Sequence, residues 1–158
     1  MLAAAALADS GIEHYRGSFD NPAMYLPLGV AALTLAGNLS AAAKPRRAAP
    51  MARDVVNGMA LVTGMIGTAF HIYNITKRPG GASWLNLFYA APLGAPAALS
   101  LAGTMGLLAG RVREGRASAR LLAALVSAGI LGTSAEAGLM HFRGAFHNPA
   151  MVIPVTVP

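Results

Sequence analysis

Few residues in this chain can do chemistry. It has four histidines, six acidic residues and no cysteine. The lack of cysteine removes disulfides, thiolate zinc sites, iron–sulfur clusters and covalent haem attachment. A non-covalent haem or a His-ligated metal stays open as cofactor, with the metal unknown. His14, His71 and His141 each stand at the end of an apolar stretch, and His147 follows six residues after His141. Imidazole and carboxylate groups suit zinc, copper or iron. Converging from separate helices, these four histidines would form a cofactor-binding site. HxH and HxxxH spacings are absent.

Glu136 is the sharper residue. It is the one acidic group inside the apolar stretch Leu121–Met140. On a helix it sits about 7 Å below His141 at 1.5 Å per residue. A carboxylate deep in a bilayer costs on the order of 2–3 kcal/mol. It must therefore face protein and find a partner, or hold a proton. Asp9 is its counterpart in an internal repeat. Together they are the expected ion or proton site, within a carboxylate–His–Arg cluster. The structural alternative is a hydrogen-bonded pair between helices, with Asn57, Asn74 or a copy-related residue as partner.

The repeat has an offset of 127 residues. Residues 11–24 read GIEHYRGSFDNPAM and residues 138–151 read GLMHFRGAFHNPAM. Glycine, histidine, arginine, glycine, phenylalanine and the whole Asn-Pro-Ala-Met run are shared. Outside the block, Asp9 matches Glu136 and Pro27 matches Pro154. Duplication explains such identity, and repeats are common in membrane proteins. Each residue in the shared loop has a structural task. Gly17 and Gly144 are expected at positive φ after a helix end. Asn21 and Asn148 are expected as N-caps, with Pro22 and Pro149 at the first helical position. Arg16 and Arg143 are placed to satisfy the last carbonyls of the preceding helix. The same four polar residues, Arg16, Asn21, Arg143 and Asn148, are the candidate loop-interaction residues.

These groups need elements to hold them. The chain has 158 residues, 55% of them hydrophobic and 11% charged. A soluble domain carries about 25% charged residues, so a soluble globule, a disordered chain and a charged nucleic-acid module are all disfavoured. Four stretches approach the roughly 20 apolar residues that span a bilayer: Tyr25–Ala43, Val55–Ile75, Trp84–Ala109 and Leu121–Met140. Pro92 and Pro96 predict a kink in the third, with Trp84 and Tyr89 as interfacial anchors. The fold class expected is all-α, a polytopic transmembrane bundle of helical hairpins. It has four full spans, with residues 1–15 and 151–158 reading as partial helices. It forms one membrane domain over 1–158, with repeat copies at 1–43 and 121–158. A degenerate third hairpin over 54–110 is suggested by His71, Arg78, Gly80, Asn86, Tyr89, Pro92 and Gly94. Small residues recur every fourth position at Gly94, Ala98, Ala102, Gly106 and Gly110, at Thr63 and Gly67, and at Gly129, Thr133 and Ala137. In lipid such stripes let helix backbones approach closely.

The net charge of +6 is unevenly placed. Lys44, Arg46, Arg47 and Arg53 lie in one linker, and Arg111, Arg113, Arg116 and Arg120 in another. The positive-inside rule puts loops 44–53 and 111–120 in the cytoplasm of a bacterial-type inner membrane. The His-bearing ends then face outward. The basic residues fit contact with anionic lipid, and no aromatic-interleaved basic face for nucleic acid is present. The N-terminus lacks a basic n-region, so a cleaved signal peptide is not expected.

Three functions fit. The leading expectation is a non-catalytic membrane subunit or anchor that docks a periplasmic partner through the repeated loops. The second is a metal-, haem- or quinone-binding electron-transfer subunit using the histidines. The third is a small ion- or proton-coupled transporter using Asp9 and Glu136. No nucleophile motif, phosphate loop or metalloprotease motif appears, so the sequence gives no reaction to assign.

Overall fold

The computed structural model describes residues 2–43, 50–89 and 93–156. Lys44, Arg46, Arg47, Pro92 and residues 157–158 lie outside them. Among the described residues every regular element is helical. The helices are α1 (Leu2–Arg16), α2 (Tyr25–Ala43), α3 (Pro50–Thr76), α4 (Trp84–Tyr89), α5 (Gly94–Arg113), α6 (Ala119–Arg143) and the short α7 (Ile153–Thr156). Among the described residues, three helical segments are long and apolar enough to cross a membrane: Pro22–Ala43, Pro50–Thr76 and Ala119–Arg143.

The third apolar stretch departs from the single kinked span expected of it. It is divided into α4, which ends at Tyr89, and α5, which begins at Gly94. Pro96 falls in the first turn of α5, where a missing N–H leaves no intrahelical bond unmade. Pro96 thus sits at a helix start, and three long apolar helices stand beside α5 among the described residues.

Helix α5 is the centre of the bundle. It packs on α1, α3 and α6. The apolar core of Ala6, Val30, Ala31, Ala60 and Leu99 lies where α1, α2, α3 and α5 meet. Its closest neighbour is α3, which runs antiparallel to it. A Cβ on Gly64 would overlap the backbone of Pro96 and Ser100, and one on Gly103 would overlap the backbone of Asn57 and Leu61. A Cβ on Gly106 would enter the Asn57 side chain, and one on Gly110 the Arg53 guanidinium. The small-residue stripe is therefore real on α5, with Gly103 added to it. On α3 the contact runs through Asn57, Ala60, Gly64 and Gly67, so Gly64 takes the place expected of Thr63. Ser100 Oγ donates to Leu61 O across the same contact at 3.3 Å.

Polar residues tie the helices together at that interface. Asn57 is 1% exposed. Its amide exchanges two hydrogen bonds with Asn38 of α2, at 3.0 and 3.2 Å, and donates a third to Arg53 O at 2.8 Å. Such bonds hold helices together where hydrophobic drive is absent. One turn away, Arg53 pairs with Asp54 at 2.7 Å and lies 3.7 Å from Glu114. Glu114 also pairs with Arg116. That hydrogen bond, above all, holds the Glu114 carboxyl below the usual glutamate value. The start of α3 is thus fastened to the end of α5.

Outside the core, large apolar side chains are exposed on nearly every helix, among them Leu33, Ile66, Phe70, Leu131 and Phe142. Buried apolar residues are mostly alanine. This inverts the pattern of a water-soluble bundle, in which the large side chains go inside.

Candidate functional site

The two repeated loops have the same backbone, bond for bond. In the first, Gly17 N–H donates to Glu13 O, Ser18 N–H to Tyr15 O, Phe19 N–H to His14 O and Asp20 N–H to Gly17 O. In the second, Gly144 donates to Met140, Ala145 to Phe142, Phe146 to His141 and His147 to Gly144. Asn21 and Asn148 cap a 3₁₀ turn, their side chains accepting from Ala23 N–H and Ala150 N–H at 2.9 Å. Proline stands at the first position of each turn, as expected. The chain then enters α2 in one copy and α7 in the other.

Two expectations for these loops are corrected. Positive φ does not fall on Gly17 or Gly144. It falls on Ser18 (57°), Phe19 (50°), Ala145 (55°) and Phe146 (47°). The helices end at Arg16 and Arg143, directly before the glycines, and the next two non-glycine residues make the turn at a cost of about 1–2 kcal/mol each. A Cβ on Gly144 would lie 3.1 Å from Met151 Cε, a tight contact that a small shift of the flexible methionine end relieves. Arg16 was expected at helix carbonyls. It pairs instead with Glu13, one turn back, at 3.0 Å. Arg143 repeats that reach onto Met140 Sδ at 3.2 Å and lies 4.7 Å from the Tyr89 ring centroid.

The histidines are used locally. His14 Nδ1 lies 2.8 Å from Met24 O, and only an Nδ1–H can bond to a carbonyl, so it is the donor. His14 also meets the edge of Phe19, which stacks on Tyr25 at 4.4 Å. His147 Nδ1 reaches Gly144 O in its own loop at 2.9 Å. His71, half-buried on α3, lies within electrostatic range of His14 and meets the edge of Phe70. His141 stays with Phe146, ring centroids 6.2 Å apart. Among the described residues, no three His, Asp or Glu groups come close enough to share a metal ion. Asn86, offered as an echo of Asn21, acts differently: it sits inside α4 and its amide reaches back to Pro79 O and Gly81 O.

Of the two acidic residues, Glu136 has a definite seat and Asp9 lies within electrostatic range of it. Glu136, half-buried on α6, lies directly against Gly94 at the first turn of α5 and faces its backbone N–H. A Cβ on residue 94 would overlap the carboxylate, so glycine is what makes room for it. Asp9, on the surface of α1, is close enough for its charge to act on Glu136. Helix α5 is the common support, with α1 and α6 both packed on it. No lysine, arginine or histidine among the described residues forms an ion pair with either group. Asn57, one of the partners foreseen for Glu136, is taken by Asn38.

Beside Glu136 lies a groove of about 500 Å³ between α5 and α6. Leu87, Leu93, Leu101, Leu139 and Met140 form its apolar walls, and small residues such as Ala97 and Gly132 form its floor. Glu136 is the one charged residue lining it. Sequence reading placed Gly94 in a packing stripe. Its role as the seat of Glu136 had no signal in the spacing, because it depends on where α5 begins. Comparison with family models, curated proteins and solved structures finds no match to this chain.

Proposed function

We propose that this chain is a small polytopic protein of a bacterial-type inner membrane that binds and passes a proton or small cation at Asp9 and Glu136. The observation that carries this reading is the seating of Glu136 against Gly94 at the start of α5, with Asp9 of α1 within electrostatic range of it. Two like charges that act on each other do not ionise independently. A bound cation or a shared proton relieves them, so the pair has affinity for positive charge built into it. A helix that starts within the bundle and meets a polar group there is a recurrent device of transporters.

Several further points belong to the same reading. Helix α5, at 20 residues, is long enough to serve as the fourth span at about 1.5 Å per residue. The two helix–loop–helix units descend from a duplicated hairpin, which accounts for their shared loop geometry. Arg53, Arg111, Arg113 and Arg116 gather at the end of the bundle opposite the repeated loops, and that end is cytoplasmic by charge. Proteoliposomes with a trapped pH dye and a valinomycin-set potassium potential test the proposal. Wild-type vesicles acidify faster than protein-free ones, and Glu136→Gln returns the rate to the protein-free level. A wild-type rate equal to that of empty vesicles overturns it.

A second reading, docking of a periplasmic partner on the loops, is favoured by one observation. Four strained non-glycine residues hold two exposed loops in one shape, and strain of this kind collects at functional segments.

A further inference from the structure

We propose, building on the cation-site reading above, that the groove beside Glu136 binds a lipophilic organic cation: an apolar body carrying a single positive charge.

The groove fits such a ligand in size, since small-molecule sites run from about 300 to 1,000 Å³, and this one is about 500 Å³. It also fits in chemistry. The walls are leucine, methionine and alanine, and the sole charge is the Glu136 carboxylate. Asp9 adds to the negative potential there, and no cationic side chain among the described residues neutralises Glu136. An anion is repelled. A neutral apolar molecule fills the walls and leaves the carboxylate with the Gly94 backbone N–H alone to face in a low dielectric. A compact inorganic cation must trade its hydration shell for several oxygen ligands, and within the groove Glu136 is the one carboxylate among the described lining residues. An organic cation spreads its charge and brings its own apolar surface. Its body meets Leu101, Leu139 and Met140, and its charge meets Glu136.

Access agrees with this. Leu87, Leu139 and Met140 line the groove and are exposed. The groove is therefore open to the surroundings of the bundle, which for a membrane protein include the bilayer in which a lipophilic cation dissolves. A proton held on Glu136 competes with the ligand. Binding the cation releases that proton, one positive charge for another.

The test uses the full chain in nanodiscs, with radiolabelled tetraphenylphosphonium as the probe in equilibrium dialysis. Wild type shows saturable binding above empty nanodiscs, and affinity weakens as pH falls, approaching tenfold per unit where one proton competes. Glu136→Gln lowers affinity by about tenfold or more, as loss of one charge contact does. Gly132→Leu fills the groove and abolishes binding, yet should fold, because a Cβ at residue 132 meets nothing within 4 Å. Circular dichroism and a monodisperse profile establish that both variants are folded. Absence of saturable binding to wild type overturns the proposal, as does unaltered binding to folded Gly132→Leu. Displacement of the probe by millimolar sodium also overturns it, because it assigns the site to an inorganic ion. If the probe does not bind while Glu136-dependent proton flux persists, the organic-cation proposal falls and the cation-site reading stands. If both are absent, both fall.

Discussion

Gly103→Ala should loosen the bundle at its centre. The added Cβ would overlap the backbone oxygen of Asn57 and the backbone nitrogen of Leu61. Neither atom can rotate away, unlike the end of a side chain. To regain ordinary contact distance the two helices must part by roughly 1 Å. A gap of that size forfeits a quarter to a half of each van der Waals well, and wells are ~0.1–0.2 kcal/mol per atom pair. Over a few tens of pairs along α3 and α5 this is roughly 1–2 kcal/mol, and overpacking typically costs about 1–3 kcal/mol. Alanine returns up to about 1 kcal/mol of helix propensity. The net loss is therefore about 1–2 kcal/mol. Gly58→Ala is the control. It lies on α3 with nothing within 4 Å of its Cβ, so it keeps the propensity gain alone. Unfolding in mixed micelles, followed by circular dichroism against SDS mole fraction, should separate the two variants by about 2–3 kcal/mol. Equal or greater stability of Gly103→Ala relative to Gly58→Ala would refute the close approach of α3 and α5.

Two further outcomes follow from the polar ties. A double-mutant cycle of Asn38→Ala and Asn57→Ala should give a coupling of about 0.6–1.7 kcal/mol, the range of membrane interhelical bonds; additive losses in the same unfolding assay would contradict the amide pair. Glu114, held below its ordinary value by Arg116, should add a pH-dependent component to stability. The sign is that of a depressed acid: the contribution is complete above the ordinary glutamate range and is lost as pH falls through the lowered value. Stability measured from neutral pH downward should show this loss in wild type and lack it in Glu114→Gln.

Much of the local structure was legible in the sequence. The loop bounded by His14 and Met24 came with its caps and its copy, because Asn-Pro and the repeat act over a few residues. The offset of 127 residues sets Asp9 and Glu136 at matching positions in the sequence. Where the sequence misled, the cause was tertiary. Trp84–Ala109 looked continuous because hydropathy does not record that a proline can begin a helix as well as bend one. Gly17 and Gly144 looked like turn glycines, yet the turn falls on the next two residues. Thr63 stood for Gly64 because a four-residue stripe is ambiguous by one position until its partner helix is known. His14, His141 and His147 make contacts within their own loops, which the shared helix ends did not reveal. Asn38 gave no signal, since its importance lies in facing Asn57.

The central claim is that Asp9 and Glu136 act as one site. Infrared difference spectroscopy of the carboxyl band, recorded against pH in nanodiscs, tests it most directly. With Glu136→Gln assigning the Glu136 band, its titration should move measurably when Asp9 is changed to asparagine, because coupled groups share their macroscopic steps. A Glu136 titration that is the same with and without the Asp9 carboxylate would contradict the account.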